Sequence, residues 1–113
     1  MTCVYKILTV DEWTAFEKSG RFDGSANDKK DGFIHLTFEN QYPAILEKFF
    51  KGIDKVVLVE IDSRLLEEGT LKVEANKPGG EQYPHLYSSM SMKAVSSHTE
   101  LELPYEPRAI FQI

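Results

Sequence analysis

Two short segments carry the same pairing of chemical groups. Residues 31–38, "DGFIHLTF", hold His35 and Thr37; residues 79–89, "GGEQYPHLYSS", hold His85 and Tyr87. In an extended chain alternate side chains face the same way. Phe33, His35 and Thr37 therefore share one face, and Ile34, Leu36 and Phe38 form the core face. By the same alternation His85 and Tyr87 look one way and Leu86 the other. Each segment thus presents an imidazole, which can accept or donate a proton near neutral pH, beside a hydroxyl. A lone strand histidine is ordinarily a hydrogen-bonded structural residue. Two in matching contexts point to one shared polar site.

Other chemistries lack their residues. Zinc sites need three or four ligands, usually at close spacing; here two histidines stand fifty positions apart, with no paired His-x-x-x-His or Cys-x-x-Cys. No glycine-rich phosphate loop is present. Cys3 is the only cysteine, and no serine sits in a nucleophile-elbow context. What remains is a polar pocket of His35, Thr37, His85 and Tyr87 with Glu74 or Glu81 nearby. Arg21, Ser25 and Lys29 or Lys30 are placed to close over it from a long loop. Imidazoles and hydroxyls suit ribose hydroxyls, a lysine or arginine suits a phosphate, and a carboxylate suits a developing cation. His98, in "SSHTE", reads as an exposed edge residue.

The elements that must position these groups follow from local pattern. Val4 to Leu8 reads as a strand. Thr9-Val-Asp-Glu12 matches a capping box, opening a helix with Val10, Trp13 and Phe16 on its apolar side and Gly20 at its end. Residues 20–32, "GRFDGSANDKKDG", read as a glycine-punctuated loop, mobile and bordering the site. After the 32–38 strand, Tyr42, Ile45, Leu46, Phe49 and Phe50 form an amphipathic stripe on a helix over about 40–51, with its aromatics in the core. Pro43 fits its first turn and Gly52 its end. Residues 55–62, "KVVLVEID", read as a central strand covered on both faces. Leu71 to Ala75 and part of 93–103 alternate, and the tail "RAIFQI" reads as a last strand. Six or seven short strands with two main helices make an α+β domain, a mixed or antiparallel sheet with helices against it.

Composition bounds the partners. The chain has 113 residues, 42% hydrophobic and 27% charged, the balance of a single globular domain. Net charge is −5, and the sole adjacent basic pair, Lys29-Lys30, is flanked by acids. That argues against nucleic-acid or membrane-surface partners and leaves a small anionic ligand open. One cysteine, no basic and apolar leader and no long apolar run lead to the expectation of a cytoplasmic protein.

Over about residues 4–103 the sequence resembles a family of small, mostly bacterial proteins, domain of unknown function 952. The residues that carry the resemblance are Tyr5–Leu8, Trp13, "GRFDGS", "DGFIHLT" and "YPHLY". The resemblance implies a split-sheet α+β fold of the ADP-ribosyltransferase superfamily, with a central cleft and NAD as a possible substrate. In that superfamily an early strand supplies a His or Arg to a ribose, a hydroxyl or aromatic residue seats nicotinamide, and a late acid stabilises the transition state. The resemblance implies His35 for the first role and Tyr87 for the second. Glu81 and Glu74 are available for the third, and Glu81 is paired with His35 as the catalytic expectation. The RNA 2′-phosphotransferases of that superfamily use several arginines, whereas this chain has only Arg21, Arg64 and Arg108. The alternative is a non-catalytic binding or interaction module with structural histidines.

Overall fold

A computed structural model describes residues 3–104, and the "RAIFQI" tail lies outside them. The first strand, β1 (Cys3–Thr9), runs into α1 (Val10–Ser19) through the expected capping box, in which Thr9 Oγ1 accepts from the Glu12 amide and Glu12 reaches back to the Thr9 amide. Gly20 ends this helix in the left-handed region, at φ 77°. Then follow β2 (Arg21–Phe22), α2 (Ala26–Asp31), β3 (Ile34–His35) and α3 (Tyr42–Phe49). The second half is β4 (Lys55–Asp62), β5 (Leu71–Ala75), β6 (Gln82–Leu86), β7 (Met90–Ser91) and β8 (Val95–Glu102), with single 3₁₀ turns at Ser63–Leu65 and Met92–Ala94.

The strands form three antiparallel sheets in the orders β1-β4-β8, β2-β7 and β3-β6-β5. β4 is the middle strand of the first sheet, and Val56–Val59 are all buried. Both its faces are covered, as an unbroken apolar run requires. On one face Val57, Val59 and Ile61 meet Trp13 and Phe16 of α1 together with Leu86 and Met90. On the other, Val56 and Leu58 meet Ile7 and Leu46 of α3.

Three expectations are corrected. Residues 20–32 are not a structureless loop but hold β2 and α2. Ser25 caps α2 by accepting from the Asp28 amide, and the Asp28 side chain accepts from the Ser25 amide. This box escapes a pattern built on Glu or Gln at the third helical position. α3 stops at Phe49, short of Gly52, and the Phe49 side chain is 63% exposed, so the stripe of this helix is narrower than its spacing suggested. The 32–38 strand pairs with β6 at Ile34 and His35, and the Leu36 amide donates to the Pro84 carbonyl at 3.0 Å. It then leaves that partner, and Thr37 bridges Tyr5 of β1 through two backbone bonds of 2.8 and 2.9 Å. That short segment ties the first sheet to the third, and the candidate site forms beside the tie.

Candidate functional site

His35 of β3 and His85 of β6 are direct partners across the antiparallel ladder. Their ring centroids lie 6.0 Å apart, edge to face. Each ring is held through Nδ1 by a carboxylate. His35 Nδ1 lies 2.6 Å from Asp28 Oδ1, and His85 Nδ1 lies 2.9 Å from Glu74 Oε1. An ionised carboxylate only accepts, so both Nδ1 atoms carry the hydrogen in these bonds. His35 Nε2 is also 2.9 Å from Asp31 Oδ2. His85 Nε2, by contrast, is buried with no hydrogen-bond partner among the described residues.

Asp28 is the hub on the His35 side, and it is 2% exposed. Besides the imidazole, it accepts from the His35 amide at 3.1 Å, the Ser25 amide at 2.9 Å and Lys6 Nζ at 2.9 Å. Burial pushes its carboxyl up. The His35 bond, the Lys6 charge and the two amides outweigh that and hold it well below the usual carboxylate range. Lys6 is itself buried on β1, between Val4 and Leu8 on the same strand face, and also donates to the His35 carbonyl at 2.9 Å. Burial pulls its ammonium down, and the Asp28 charge opposes that.

On the His85 side one oxygen, Glu74 Oε1, accepts from both the imidazole and the Tyr87 hydroxyl, the latter at 2.6 Å. The Tyr87 and His85 bonds hold the Glu74 carboxyl below its ordinary range, and the same carboxylate raises the Tyr87 phenol. The Phe33 ring stacks on the His85 ring at 4.0 Å between centroids, 23° from parallel, and lies 5.3 Å from the Tyr87 ring. On the outer side of Phe33 is an open pocket of about 240 Å³. Asp23, Lys29 and Gly32 line it from one side and Tyr87, Ser88 and Ser89 from the other.

The structure therefore brings together His35, His85, Glu74 and Tyr87 of the residues singled out from sequence. Lys29 lines the pocket beside them, and the others lie elsewhere. Thr37 and Glu81 meet in a separate network through Gln41. The Gln41 amide nitrogen donates to Glu81 Oε2 at 2.9 Å, and its oxygen lies 3.4 Å from Thr37 Oγ1. Glu81 bonds Gln41 and Tyr83 rather than either histidine. Ser25 is a helix cap, one step removed through Asp28. Arg21 is exposed and pairs with Asp23 at 2.7 Å, so it reaches the pocket rim only through that partner. His98 lies exposed on β8 as expected, its ring 4.4 Å from that of Trp13.

Sequence reasoning passed over Asp28, Asp31 and Lys6. The signals were faint. Lys6 is a lone charge in the apolar alternation Val4-Lys6-Leu8. Asp28 is hidden in a run of solvent-type residues, "NDKKD".

Residues 7–98 match the model of a protein family described as protein of unknown function, DUF952. The chain belongs to this family. The histidine pair, Asp28 and Glu74 all lie inside the matched span. Among solved structures, this DUF952 chain is similar to protein CC0527 from Caulobacter crescentus. Its crystal structure is 41% identical, with TM-score 0.82, covering 90% of this chain and 88% of that one. Its solution structure is 42% identical, with TM-score 0.79, covering 91% and 87%. No curated protein matches the chain. Among the described residues of this DUF952 protein no cluster of three or more ligating side chains could hold a metal ion, and no helix is long and apolar enough to cross a membrane.

Proposed function

We propose that the pocket beside the β3–β6 ladder binds a small nucleotide-type ligand of the NAD or ADP-ribose class, with the ligand's ribose turned toward His35 and His85. The observation that carries this reading is the pair of imidazoles set opposite each other, each fixed through Nδ1 by an ionised carboxylate. A carboxylate on Nδ1 fixes ring orientation and tautomer. For His85 this leaves Nε2 as an acceptor, the group a ribose hydroxyl would meet. Lys29 at the pocket rim supplies the cation for a phosphate, and Phe33 and Tyr87 supply planar surfaces. The expectation of an ADP-ribosyltransferase-like fold, drawn from the resemblance of the sequence, is in keeping with this arrangement.

Within this reading Glu74, not Glu81, is the acid of the site, because it touches His85 and Tyr87. If the protein is a transferase, Glu74 is the group placed to stabilise positive charge at the nicotinamide-bearing ribose carbon. Thermal melts test the reading. A nucleotide bound to the folded state stabilises it by mass action, by about 2.7 kcal/mol at a hundred times its Kd. NAD or ADP-ribose is expected to raise Tm in the wild type and not in His35→Ala or His85→Ala. No shift with any nucleotide of a panel would favour the alternative, a module whose histidines are structural.

A further inference from the structure

α2 has little of its own to hold it. It spans six residues, well short of the roughly 12–15 at which an isolated helix becomes even marginal in water. Asp28 is its only buried residue. The helix also ends against local preference. Asp31, its last residue, puts a negative charge at the C-terminus, where the backbone dipole disfavours one. Aspartate is also a poorer helix former than alanine. His35 of the next strand meets α2 at two points. Its Nδ1 lies 2.6 Å from Asp28 Oδ1, its amide donates to the same oxygen at 3.1 Å, and its Nε2 lies 2.9 Å from Asp31 Oδ2. Lys6 and the Ser25 amide also hold Asp28, whereas Asp31 meets only His35 among the described residues.

Half of the open pocket's wall lies in the stretch that these contacts close. Asp28, Lys29, Gly32, Phe33 and Ile34 line it, and His35 follows directly. Of the charged groups in the wall, Asp28 is paired with Lys6 and Asp23 with Arg21. The charge left for a ligand is that of Lys29, the next residue of α2 after Asp28. His35 itself does not line the pocket, and each of its ring nitrogens already faces a carboxylate of α2.

We infer that Asp31 and His35 are positioning residues: together they latch α2 onto β3, and α2 so held presents Lys29 to an anionic, phosphate-bearing ligand. His35 thus acts on the ligand through the pocket wall. The phosphate rests on the nucleotide reading above, whereas the latch rests on the His35 contacts alone.

Hydrogen exchange tests the latch without any ligand. The Lys29 and Gly32 amides donate to the Ser25 and Asp28 carbonyls. In Asp31→Ala they are expected to exchange at least about tenfold faster than in the wild type, while the amides of β4 keep their protection. The sign is diagnostic, because removing a C-terminal negative charge and adding alanine would by themselves strengthen a helix. Unchanged or slower exchange at both amides would overturn the latch. Calorimetry with ADP-ribose, and with adenosine, which has no phosphate, then reads the role. Lys29→Ala and Asp31→Ala are each expected to weaken ADP-ribose binding at least about threefold. The double variant is expected to lose no more than Lys29→Ala alone, since residues that act as one unit do not add. Adenosine is expected to respond to neither change. Additive losses, or equal losses for adenosine, would overturn the route through Lys29. Faster exchange in α2 with no binding of ADP-ribose to the wild type would overturn the nucleotide reading and leave the latch standing.

Discussion

At the residue scale the decisive group is one that pattern reading overlooks. Asp28 gathers an imidazole, an ammonium and two backbone amides around one buried carboxylate. Removing one partner of a buried pair leaves the other charge uncompensated, at a cost of about 3–5 kcal/mol. Asp28→Ala strands Lys6, which is 7% exposed, and is expected to fall in that range by urea denaturation. A loss under about 1 kcal/mol would mean that Lys6 finds another partner or loses its proton. The pH dependence has a definite sign. The folded-state carboxyl of Asp28 lies below its unfolded value of about 3.9. Its contribution is therefore complete above that value and is lost as pH falls below it toward the folded-state value. The wild type is expected to lose stability from about pH 5 downward, and Asp28→Asn to show a flatter acid limb. His35→Ala also orphans part of this hub. It is expected to cost about 1–3 kcal/mol even without ligand, so its effect on binding must be read as a change in ligand-induced shift, not in Tm itself.

At the element scale, legibility in the sequence followed length. β1, α1, β4 and β5 are long enough for period and capping to show, and the Thr9–Glu12 box marked the start of α1 at the right residue. β2, β3 and β7 are two residues each, too short for any alternation to register. α2 spans six residues between glycines and has only Asp28 buried, so no apolar stripe announces it. Yet α2 delivers Asp28 and Asp31 to His35, which is why the histidines could be found while two of their three carboxylate partners could not. The turn into α2 is tight. Gly24 sits at φ 114°, and a Cβ there would stand 3.0 Å from Asp28 Cβ and 3.7 Å from Ile34. Gly24→Ala combines backbone strain of about 1–2 kcal/mol with pressure on Asp28. It is expected to destabilise the fold by more than Ser25→Ala, which removes one cap worth about 0.5–2 kcal/mol. Paired chemical denaturation of the two variants checks the order, and the reverse order would show that the turn relaxes freely.

At the scale of the whole molecule, a sheet covered on both faces supplies the rigidity, and the tie at Thr37 sets a second, smaller sheet against it. Burial predicts very different tolerance at two phenylalanines. Phe16, at 1% exposure in the larger cluster, is expected to cost about 3–5 kcal/mol on change to alanine. Phe49, although it belongs to the apolar stripe in sequence, is expected to cost about 0.5 kcal/mol or less. The acidic balance of the chain, −5 overall, is in keeping with the small ligand proposed above and disfavours a long polyanion. Fold membership does not by itself assign chemistry, so the weight falls on whether the ladder between β3 and β6 holds a ligand. The most direct measurement is a titration of the ¹⁵N-labelled wild-type protein with ADP-ribose, followed amide by amide. Saturable shifts are expected to concentrate at residues 32–36 and 85–89, with the amides of α3 unmoved. Absence of any saturable shift, or shifts centred on α3, would contradict the assignment of the site to the histidine pair.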